Sequence, residues 1–409
     1  MHPLTSPAPR TIDRKERSDM TNDADLVGRA VALQPLLREY AGTIEKDRRI
    51  PDQVIVAIAE AGLFRLATPR RYGGHQTSTR TILDVSAALA EGDGSTSWVV
   101  TLVTVCNWLT SLFPAKAQDD VFGDNPDARV TGVLTPTSRA LKAEGGWRVT
   151  GRWHYNSGSW HSDWAVLGVP FTDAGGEVID QGLILVPRKD LAIEDTWFVA
   201  GMKGTASNCL VAEDIFVPEY RIMSVPAAIE GRYPTEHHDE VLARSSFIPV
   251  LALVLAGPQL GLGRAALAYV RQKAAHKPIS YTFYETQAES VAVQMQVAEA
   301  AMRLDTAILH AERASADIDA AAAAGAHLEF TQRARVRADV GWAVENVLAA
   351  INTLMTVHGA AAFAEANPLQ RIWRDANTAG RHAVAAPTVP LEVYGKALLG
   401  IDEKITPLV

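Results

Sequence analysis

The spacing of apolar residues changes twice along this 409-residue chain, and this change limits the possible folds more than any other feature. From Asp25 to about Asp124 apolar residues recur at helical spacing. From Arg129 to about Arg221 alternating residues and short apolar runs predict strands. From about Glu240 onward, long alanine-rich segments predict helices again. The sequence therefore predicts an α+β, mainly helical protein with a β-domain between two helical parts.

The two changes in spacing predict three domains after an N-terminal extension. Residues 1–22 are rich in proline and charge, and we expect a disordered extension there. Residues 23–126 form the first helical domain, 127–224 the β-domain and 225–409 a C-terminal helical bundle. An alanine-rich hinge is predicted at 319–325. The predicted C-terminal helices cover residues 250–275, 286–316, 329–358, 368–382 and 390–399.

Composition excludes several classes of protein. The formal net charge of −8 leaves no basic excess for phosphates, which argues against a general nucleic-acid binder. Hydrophobic residues make up 47% and charged residues 21%, as in a globular protein with a large core. Cys106 and Cys209 are too few for a disulfide framework and lack metal-ligand spacing. We therefore expect two buried free thiols, a reducing compartment and no metal site.

No targeting or membrane segment is recognisable in the sequence. The first twenty residues contain no apolar run typical of a signal peptide. The longest apolar stretch, Phe247 to Leu262, contains two prolines and a glutamine and is too short for a membrane span. These observations predict a soluble cytoplasmic protein without a membrane partner.

Five short motifs occur in a fixed order along the chain. Together they resemble the acyl-CoA dehydrogenase superfamily from about Asp25 onward. Within it they look most like the flavin-dependent monooxygenases that receive reduced flavin from a separate reductase. The resemblance implies an N-terminal helical domain, a middle β-barrel-like domain and a C-terminal four-helix bundle. The motifs are Pro69-Arg-Arg-Tyr-Gly-Gly, Gly94-Ser-Thr-Ser-Trp98, Gly151-Arg-Trp-His-Tyr-Asn-Ser-Gly158, Gly204-Thr-Ala-Ser-Asn208 and Pro368-Leu-Gln-Arg-Ile-Trp-Arg-Asp375.

The carboxylate base of a dehydrogenase is missing from its usual positions. Such a base removes a proton from the thioester substrate while hydride passes to the flavin. One family position falls on Ala383, and the other lies within residues 245–271, which contain no Asp or Glu. His382 stands beside the first position, and the resemblance implies that it is a catalytic residue near the flavin. The alternative is a histidine that only caps a helix C-terminus.

A second cluster of chemically suitable residues lies in the β-domain. The resemblance implies that Ser157 and Gly158 face the flavin, where Ser157 donates to N5 or to a flavin C4a-hydroperoxide and so counts as catalytic. Trp153 is predicted to bind the cofactor, and Trp160 to bind substrate. His161 matches a histidine of the phenol-hydroxylating relatives and is predicted to be both catalytic and substrate-binding. For Trp153 and Trp164, ordinary core packing is at least an equal alternative.

Residues of the helix after Asp93 bear on the substrate. Trp98 and Asn107 are predicted to contact it. Phenol hydroxylases of this group often carry a histidine here, whereas this chain has Cys106 and Asn107. An amide cannot titrate, so this departure weakens a simple phenol hydroxylase. The alternative is that Asn107 only packs a helix. Asp163 is the one nearby carboxylate that an amine substrate could use.

Further residues are predicted to hold the flavin. Thr205 and Ser207 offer hydroxyls, and Arg264 and Lys277 are candidate phosphate partners. The dehydrogenases grip the flavin pyrophosphate with an arginine, and the corresponding region, residues 277–283, contains none. This difference favours reduced FMN over FADH2, with O2 as co-substrate.

The sequence thus predicts the oxygenase component of a two-component monooxygenase that hydroxylates a small aromatic, heteroaromatic or polyketide-like molecule. The resemblance implies an NAD(P)H-dependent flavin reductase as partner and a homotetramer. Three alternatives remain at this point. They are an N-oxygenase of an amine or amino sugar, an acyl-CoA dehydrogenase with Glu392 or Glu365 as displaced base, and a non-catalytic flavin- or partner-binding module.

Overall fold

The computed structural model describes residues 14–173, 175 and 177–409, and only the backbone of residues 14–22. The first helix begins at Arg14, so the predicted disordered extension is wrong for residues 14–22, and its remainder lies outside the described residues. The N-terminal helices are α1 (Arg14–Asp47), α2 (Asp52–Glu60), α3 (Thr79–Ala90), α4 (Gly94–Ser111) and α5 (Ala115–Phe122).

Helix α4 is the central helix of this part. Asp93 caps it, because the Asp93 carboxylate accepts a hydrogen bond from the backbone N–H of Thr96 at 2.7 Å. Nearly every residue of α4 is buried, as expected of a helix that is apolar on all sides. Its N-terminal half therefore carries Trp98 into the interior of the molecule, next to the β-domain.

The β-domain is one eight-stranded sheet in which β7 and β3 are neighbours. The strand order is β6-β7-β3-β2-β4-β5-β8, and β1 pairs with β4. One face buries its own small core, which includes Val149, Trp153 and Leu167. The strands are β1 (Val130–Val133), β2 (Ser138–Ala143), β3 (Gly146–Asn156), β4 (Trp164–Thr172), β5 (Val178–Pro187), β6 (Ala192–Glu194), β7 (Asn208–Pro218) and β8 (Ile222–Ser224).

The C-terminal helices pack on α3 and α4, so that one large apolar core runs through both helical parts. This arrangement confirms the predicted fold class. Cys106 and Cys209 are free and buried, as predicted. The helices are α6 (Val225–Ile229), α7 (Phe247–Leu253), α8 (Ala256–Ala274), α9 (Val291–Ala323), α10 (Phe330–His358), α11 (Pro368–Ala379) and α12 (Thr388–Leu398).

The predicted hinge at 319–325 is wrong for most of its length, since α9 continues to Ala323. Alanine has the highest helix propensity, so a run of alanines extends a helix. Asp319 also has a structural task there. Its carboxylate accepts from the backbone N–H groups of Thr79 and Arg80, at 2.9 and 3.2 Å, and so completes the N-terminus of α3.

Two helical segments are long and apolar enough to cross a membrane by length and composition alone. They are Phe247–Ala274 and Phe330–His358, and 78% and 61% of their most apolar windows are buried inside the protein. Helices of a large soluble core have the same properties, so these segments are weak indicators of a membrane protein.

The capping role of Asp319 gives a stability prediction. Asp319→Ala removes the acceptor of two helix N-terminal N–H groups, and we expect a loss of about 1–2 kcal/mol in the free energy of unfolding. Urea denaturation measures it. The exposed Asp305 lies on the same helix, so Asp305→Ala serves as the matched control and should change stability by less than about 0.5 kcal/mol. Equal effects of both substitutions would contradict the capping role.

Candidate functional site

A chain of buried hydrogen bonds joins the β-domain to helix α4. The indole N–H of Trp98 donates to the Ser157 hydroxyl at 3.1 Å. The Ser157 and Ser207 hydroxyl oxygens are 2.8 Å apart, and those of Ser207 and Thr205 are 2.7 Å apart. The Thr205 hydroxyl donates to the carbonyl oxygen of Met202 at 2.8 Å. This series, called the hydroxyl chain below, brings together four residues that the sequence predicted for the site.

Strand β3 positions Ser157 through an irregular end. A bulge lies directly before Asn156, and it contains Tyr155 at a φ of +69°. Bulges of this kind redirect side chains and are frequent beside active sites. Gly158 follows at a φ of +76°, which suits glycine, and its N–H donates to the carbonyl oxygen of Thr205 at 2.7 Å. The end of β3 is thereby fixed against the loop before β7.

That loop has a strained backbone and is held by helix α11. Met202 and Ala206 have φ values of +56° and +45°, which are unfavourable for residues other than glycine. The Asp375 carboxylate on α11 accepts from the Met202 N–H at 2.5 Å. Gly201 allows close contact, because a Cβ at this position would lie 2.2 Å from the carbonyl oxygen of Arg374. The loop that carries Thr205 and Ser207 therefore depends on α11.

Two buried carboxylates lie beneath this contact. Asp375 and Asp93 are 4% and 5% exposed. Burial, together with the negative charge of Asp93, raises the pKa of Asp375 to about 7. Burial also raises the pKa of Asp93. The positive charge of Arg371 opposes both pKa increases. The raised pKa of Asp375 favours its neutral form and so reduces negative charge beside the site.

His382 follows the end of α11 and has a defined proton position. Its Nδ1 accepts from the backbone N–H of Val384 at 3.3 Å, so in the neutral ring the proton lies on Nε2. The side chain is open to solvent on one side, and protein atoms crowd its other sides. Loss of hydration lowers the pKa of His382 to about 4, so the ring is neutral at pH 7. A capping cation would be charged and would donate to helix carbonyls, so this geometry favours the functional alternative.

Trp98 connects His382 to the hydroxyl chain. The indole and imidazole ring centroids are 5.9 Å apart with an interplanar angle of 60°. The same indole donates to Ser157. A neutral histidine from the C-terminal helices and a serine from the β-domain thus flank one tryptophan from α4.

Asn107 has a structural role in place of the predicted substrate contact. It is fully buried, and its amide nitrogen donates to the carbonyl oxygens of Phe64 and Ala128 at 3.0 and 3.1 Å. Its oxygen accepts from the N–H of Val130 at 3.2 Å. These bonds attach α4 to the start of β1 and leave the amide little capacity for a ligand.

Trp153 is likewise a core residue, and its predicted contact with the cofactor is corrected. It is fully buried within the core of the sheet, and its indole N–H donates to the carbonyl oxygen of Gly168 at 2.8 Å. The alternative of core packing therefore holds for this residue.

His161 and Trp160 lie on a short 3-10 helix after Ser157. Burial, and then the positive charges of Arg49 and Arg129, lower the pKa of His161 to about 4. Its Nε2 is buried without a hydrogen-bond partner in the described part of the chain. No described contact joins His161 to the hydroxyl chain, and its catalytic and substrate-binding roles stay predictions. Trp160 is 42% exposed.

No described contact joins the two predicted phosphate partners to the hydroxyl chain. The ammonium group of Lys277 donates to the carbonyl oxygen of His358. His358 Nδ1 and Gln287 Oε1 lie nearby as buried polar atoms without a partner among the described residues, so this region can still accept a polar ligand. Arg264 lies 3.9 Å from the Glu91 carboxylate.

Sequence reasoning missed the two aspartates below the site. Asp93 precedes Gly-Ser-Thr, a pattern typical of a helix N-terminus, so its capping role was detectable. Asp375 belongs to one of the five motifs, but its contact with Met202 joins residues 173 positions apart. No local pattern reveals such a contact.

The residues present fit the ring system of a reduced flavin. Ser157 keeps one unused lone pair, and His382 Nε2–H has no partner in the described structure. Neither group carries a charge that would oppose an anionic reduced ring. Trp98 supplies an aromatic face beside both residues. Bound reduced flavin would supply the oxygen activation that these side chains lack.

Family models match both helical parts of the chain. Residues 29–121 match the acyl-CoA dehydrogenase N-terminal domain, and residues 253–387 match the acyl-CoA dehydrogenase C-terminal domain. Fold and site therefore define a flavoenzyme of the acyl-CoA dehydrogenase fold whose usual base positions carry no carboxylate.

Full-length relatives narrow this class. The chain is 33% identical to a flavin-dependent monooxygenase, oxygenase subunit HsaA, from Rhodococcus jostii, over 90% of this chain and 97% of that protein. It is 32% identical to the oxygenase component of an FADH2-dependent resorcinol hydroxylase from a Rhizobium species, over 93% and 95% of the two chains. The structure of XiaF from a Streptomyces species with FADH2 and glycerol matches with a TM-score of 0.91 and 38% identity, over 96% and 100%. The chain belongs to the oxygenase components of the flavin-dependent monooxygenases.

The raised pKa of Asp375 predicts a pH-dependent stability. A carboxyl group with a folded-state pKa near 7 and an unfolded value near 4 binds more protons when folded, so stability falls as pH rises between these values. Asp375→Asn keeps an acceptor for Met202 but cannot ionise. We therefore expect the variant to gain stability relative to wild type from pH 4 to 7, measured by urea denaturation.

The exposed Asp305→Asn is the control for this experiment and should show a difference from wild type that is constant across the same pH range. A constant difference for Asp375→Asn as well would contradict ionisation of the buried carboxyl group.

Proposed function

We propose that this oxygenase component hydroxylates a small phenolic or related aromatic molecule with reduced flavin supplied by a separate reductase. The observation that carries the proposal is the neutral His382, with its Nε2–H unused, beside Trp98 and the Ser157 end of the hydroxyl chain. One atom of O2 enters the substrate and the other leaves as water, while reduced flavin is oxidised.

Each residue has a defined task in this proposal. The neutral His382 donates a hydrogen bond from Nε2–H to the atom on which oxygen chemistry develops negative charge. Ser157 faces the N5 edge of the flavin, as the resemblance implies, and forms a hydrogen bond there. Trp98 lies between them, and its buried indole supplies an apolar wall beside the reacting atoms.

An aromatic substrate is favoured over an amine. Asp163, the candidate partner of an amine, already accepts from the backbone N–H of Arg129 at 2.9 Å and from its guanidinium at 3.2 Å. Its negative charge is therefore balanced. The HsaA and resorcinol hydroxylase names describe a monooxygenase and a hydroxylase of an aromatic ring, which supports the same choice.

Reduced FAD is the flavin to test first, with FMN second. Two of the relatives reported above, XiaF and the resorcinol hydroxylase, have names that specify the flavin, and both specify FADH2. Their names are the support for FAD over the FMN that the sequence favoured. An NAD(P)H-dependent reductase is the partner we propose, and a cytoplasmic location remains a prediction.

Substitution of His382 tests the catalytic assignment. His382→Ala should reduce coupled product formation by about 10²–10³-fold, because a hydrogen-bond donor to the developing negative charge is lost. Reduced-flavin binding should change much less. Product is quantified from phenolic test substrates with photoreduced FAD and air. The exposed His276→Ala is the control and should retain wild-type turnover. Full coupled turnover of His382→Ala would contradict the role of His382.

We propose a homo-oligomer that uses an exposed apolar stripe on α9. Val291, Met295, Met302 and Leu309 are 62%, 69%, 65% and 66% exposed. They follow one another at intervals of four, seven and seven residues, which places them on one side of the helix. Large apolar side chains on one exposed face are typical of subunit contacts, and a second copy of this chain is the occupant that a homotetramer requires.

Charge substitution within this stripe tests the oligomer. The double variant Met302→Glu, Leu309→Glu should form a species of lower mass than wild type, because carboxylates are costly to bury in an apolar contact. Light scattering coupled to gel filtration measures the mass. Leu398→Glu, at the end of α12 and 64% exposed, is the control and should keep the wild-type mass. An unchanged mass of the double variant would exclude the α9 interface.

A further inference from the structure

The two ends of the hydroxyl chain fix the direction of every hydrogen bond in it. An indole N–H can only donate, and a carbonyl oxygen can only accept. Three hydroxyl groups with one proton each lie between them. Together with the indole N–H they supply four protons, one for each of the four short contacts. Only one arrangement supplies all four: Trp98 donates to Ser157, Ser157 to Ser207, Ser207 to Thr205, and Thr205 to Met202.

This direction determines what Ser157 can offer to a ligand. Its proton is committed to Ser207, and one of its two lone pairs accepts from Trp98. The remaining lone pair can only accept a hydrogen bond. Ser157 is therefore preorganised as an acceptor, which differs from the donor role that the resemblance implied for it.

We propose that Ser207 and Thr205, by holding the Ser157 proton away from the flavin, make the site selective for reduced over oxidised flavin. The proposal rests on the proposed function, in which Ser157 faces flavin N5. In reduced flavin N5 carries a hydrogen and donates. In oxidised flavin N5 has only a lone pair and needs a donor.

Reversal of hydrogen-bond direction along the hydroxyl chain is unfavourable because it removes one hydrogen bond that no other described group replaces. If Ser157 turns its proton toward oxidised flavin, one of the contacts between Ser157 and Met202 keeps two oxygen atoms 2.7–2.8 Å apart without a proton. All five residues are buried, with exposures between 1% and 6%. Binding of oxidised flavin would thus leave a buried acceptor oxygen without a donor, and this cost weakens the affinity for oxidised flavin. We expect a preference on the order of tenfold from this source.

The test compares the dissociation constants of oxidised and anaerobically reduced FAD for wild type and variants, by ultrafiltration without turnover. Ser207→Ala removes the acceptor of the Ser157 proton, so oxidised flavin should bind about tenfold more tightly and the selectivity ratio should fall by the same factor. Thr205→Val should act in the same direction. Without the Thr205 hydroxyl, Ser207 can donate to Ser157 instead. The Ser157 hydroxyl is then free to donate its own hydrogen bond to the flavin.

The effect of Thr205→Val is the sharper result, because Thr205 lies two contacts away from Ser157. A loss of packing around Thr205 would not by itself change the direction in which the distant Ser157 hydroxyl donates. The midpoint potential of bound FAD is a second readout. A tenfold loss of selectivity lowers the two-electron potential by about 30 mV.

Two controls separate hydrogen-bond direction from general disturbance of the loop. Ser159→Ala removes a buried hydroxyl that donates to the carbonyl oxygen of Ala206 at 2.7 Å, outside the hydroxyl chain, and should keep the wild-type ratio. Thr205→Ser restores a hydroxyl and should also keep the ratio. A reduced ratio in either control would overturn the proposal.

Ser157→Ala separates a failure of the proposed flavin site from a failure of the selectivity proposal. If it leaves the affinity for both flavin forms unchanged, Ser157 does not face the flavin, and the proposed site and this inference both fail. If it weakens binding of reduced flavin while Ser207→Ala and Thr205→Val keep the wild-type ratio, the site stands and the hydroxyl chain does not set selectivity.

Discussion

The hydrogen bond from the Met202 N–H to the Asp375 carboxylate joins the two halves of the site, and the rest of the arrangement depends on it. Met202 belongs to a strained loop that carries Thr205 and Ser207. Asp375 belongs to the helix that leads directly to His382. This bond acts together with the contacts of Thr205 and Ser159 to keep the two positive φ values of the loop, since such conformations persist only where surrounding contacts impose them.

The site is also nearly free of formal charge. His382 is neutral because its surroundings lower its pKa, and burial keeps Asp375 partly protonated near neutral pH. An anionic reduced flavin meets no opposing charge from Ser157, Trp98 or His382. A dehydrogenase needs the opposite, an ionised carboxylate aimed at the substrate. In the proposed function the same fold serves oxygen chemistry because the family's base position falls on Ala383 and the adjacent residue is an imidazole.

Local sequence predicted the fold well because helix and strand spacing depends on neighbouring residues. Glu329 to His358 was predicted as a helix, and α10 occupies nearly the same residues. The motifs led to Ser157 and His382, which the structure brings to the same tryptophan. Spacing could not give the direction of Trp153 or Asn107, because the sheet register and the α4 contacts decide it.

Contacts between distant segments account for the other differences. Asp319 lies in the segment predicted as a hinge, but it caps α3, and its partners lie 239 and 240 residues away. Lys277 was predicted as a candidate phosphate partner because it lies in the region that corresponds to the dehydrogenases' arginine segment, but its ammonium group donates to the carbonyl oxygen of His358, 81 residues along the chain. Such pairings are set by the packing of whole helices, which no window of sequence contains.

The central claim is that this site binds reduced flavin and controls its reaction with oxygen. Rapid mixing of the protein and photoreduced FAD with oxygenated buffer, followed by flavin absorbance, tests it most directly. We predict that the absorbance of oxidised flavin returns later than for the same flavin free in solution, and that a turned-over phenolic substrate leaves with one labelled oxygen atom when the gas is ¹⁸O2. Reoxidation at the rate of free flavin, with no labelled product, would contradict the account.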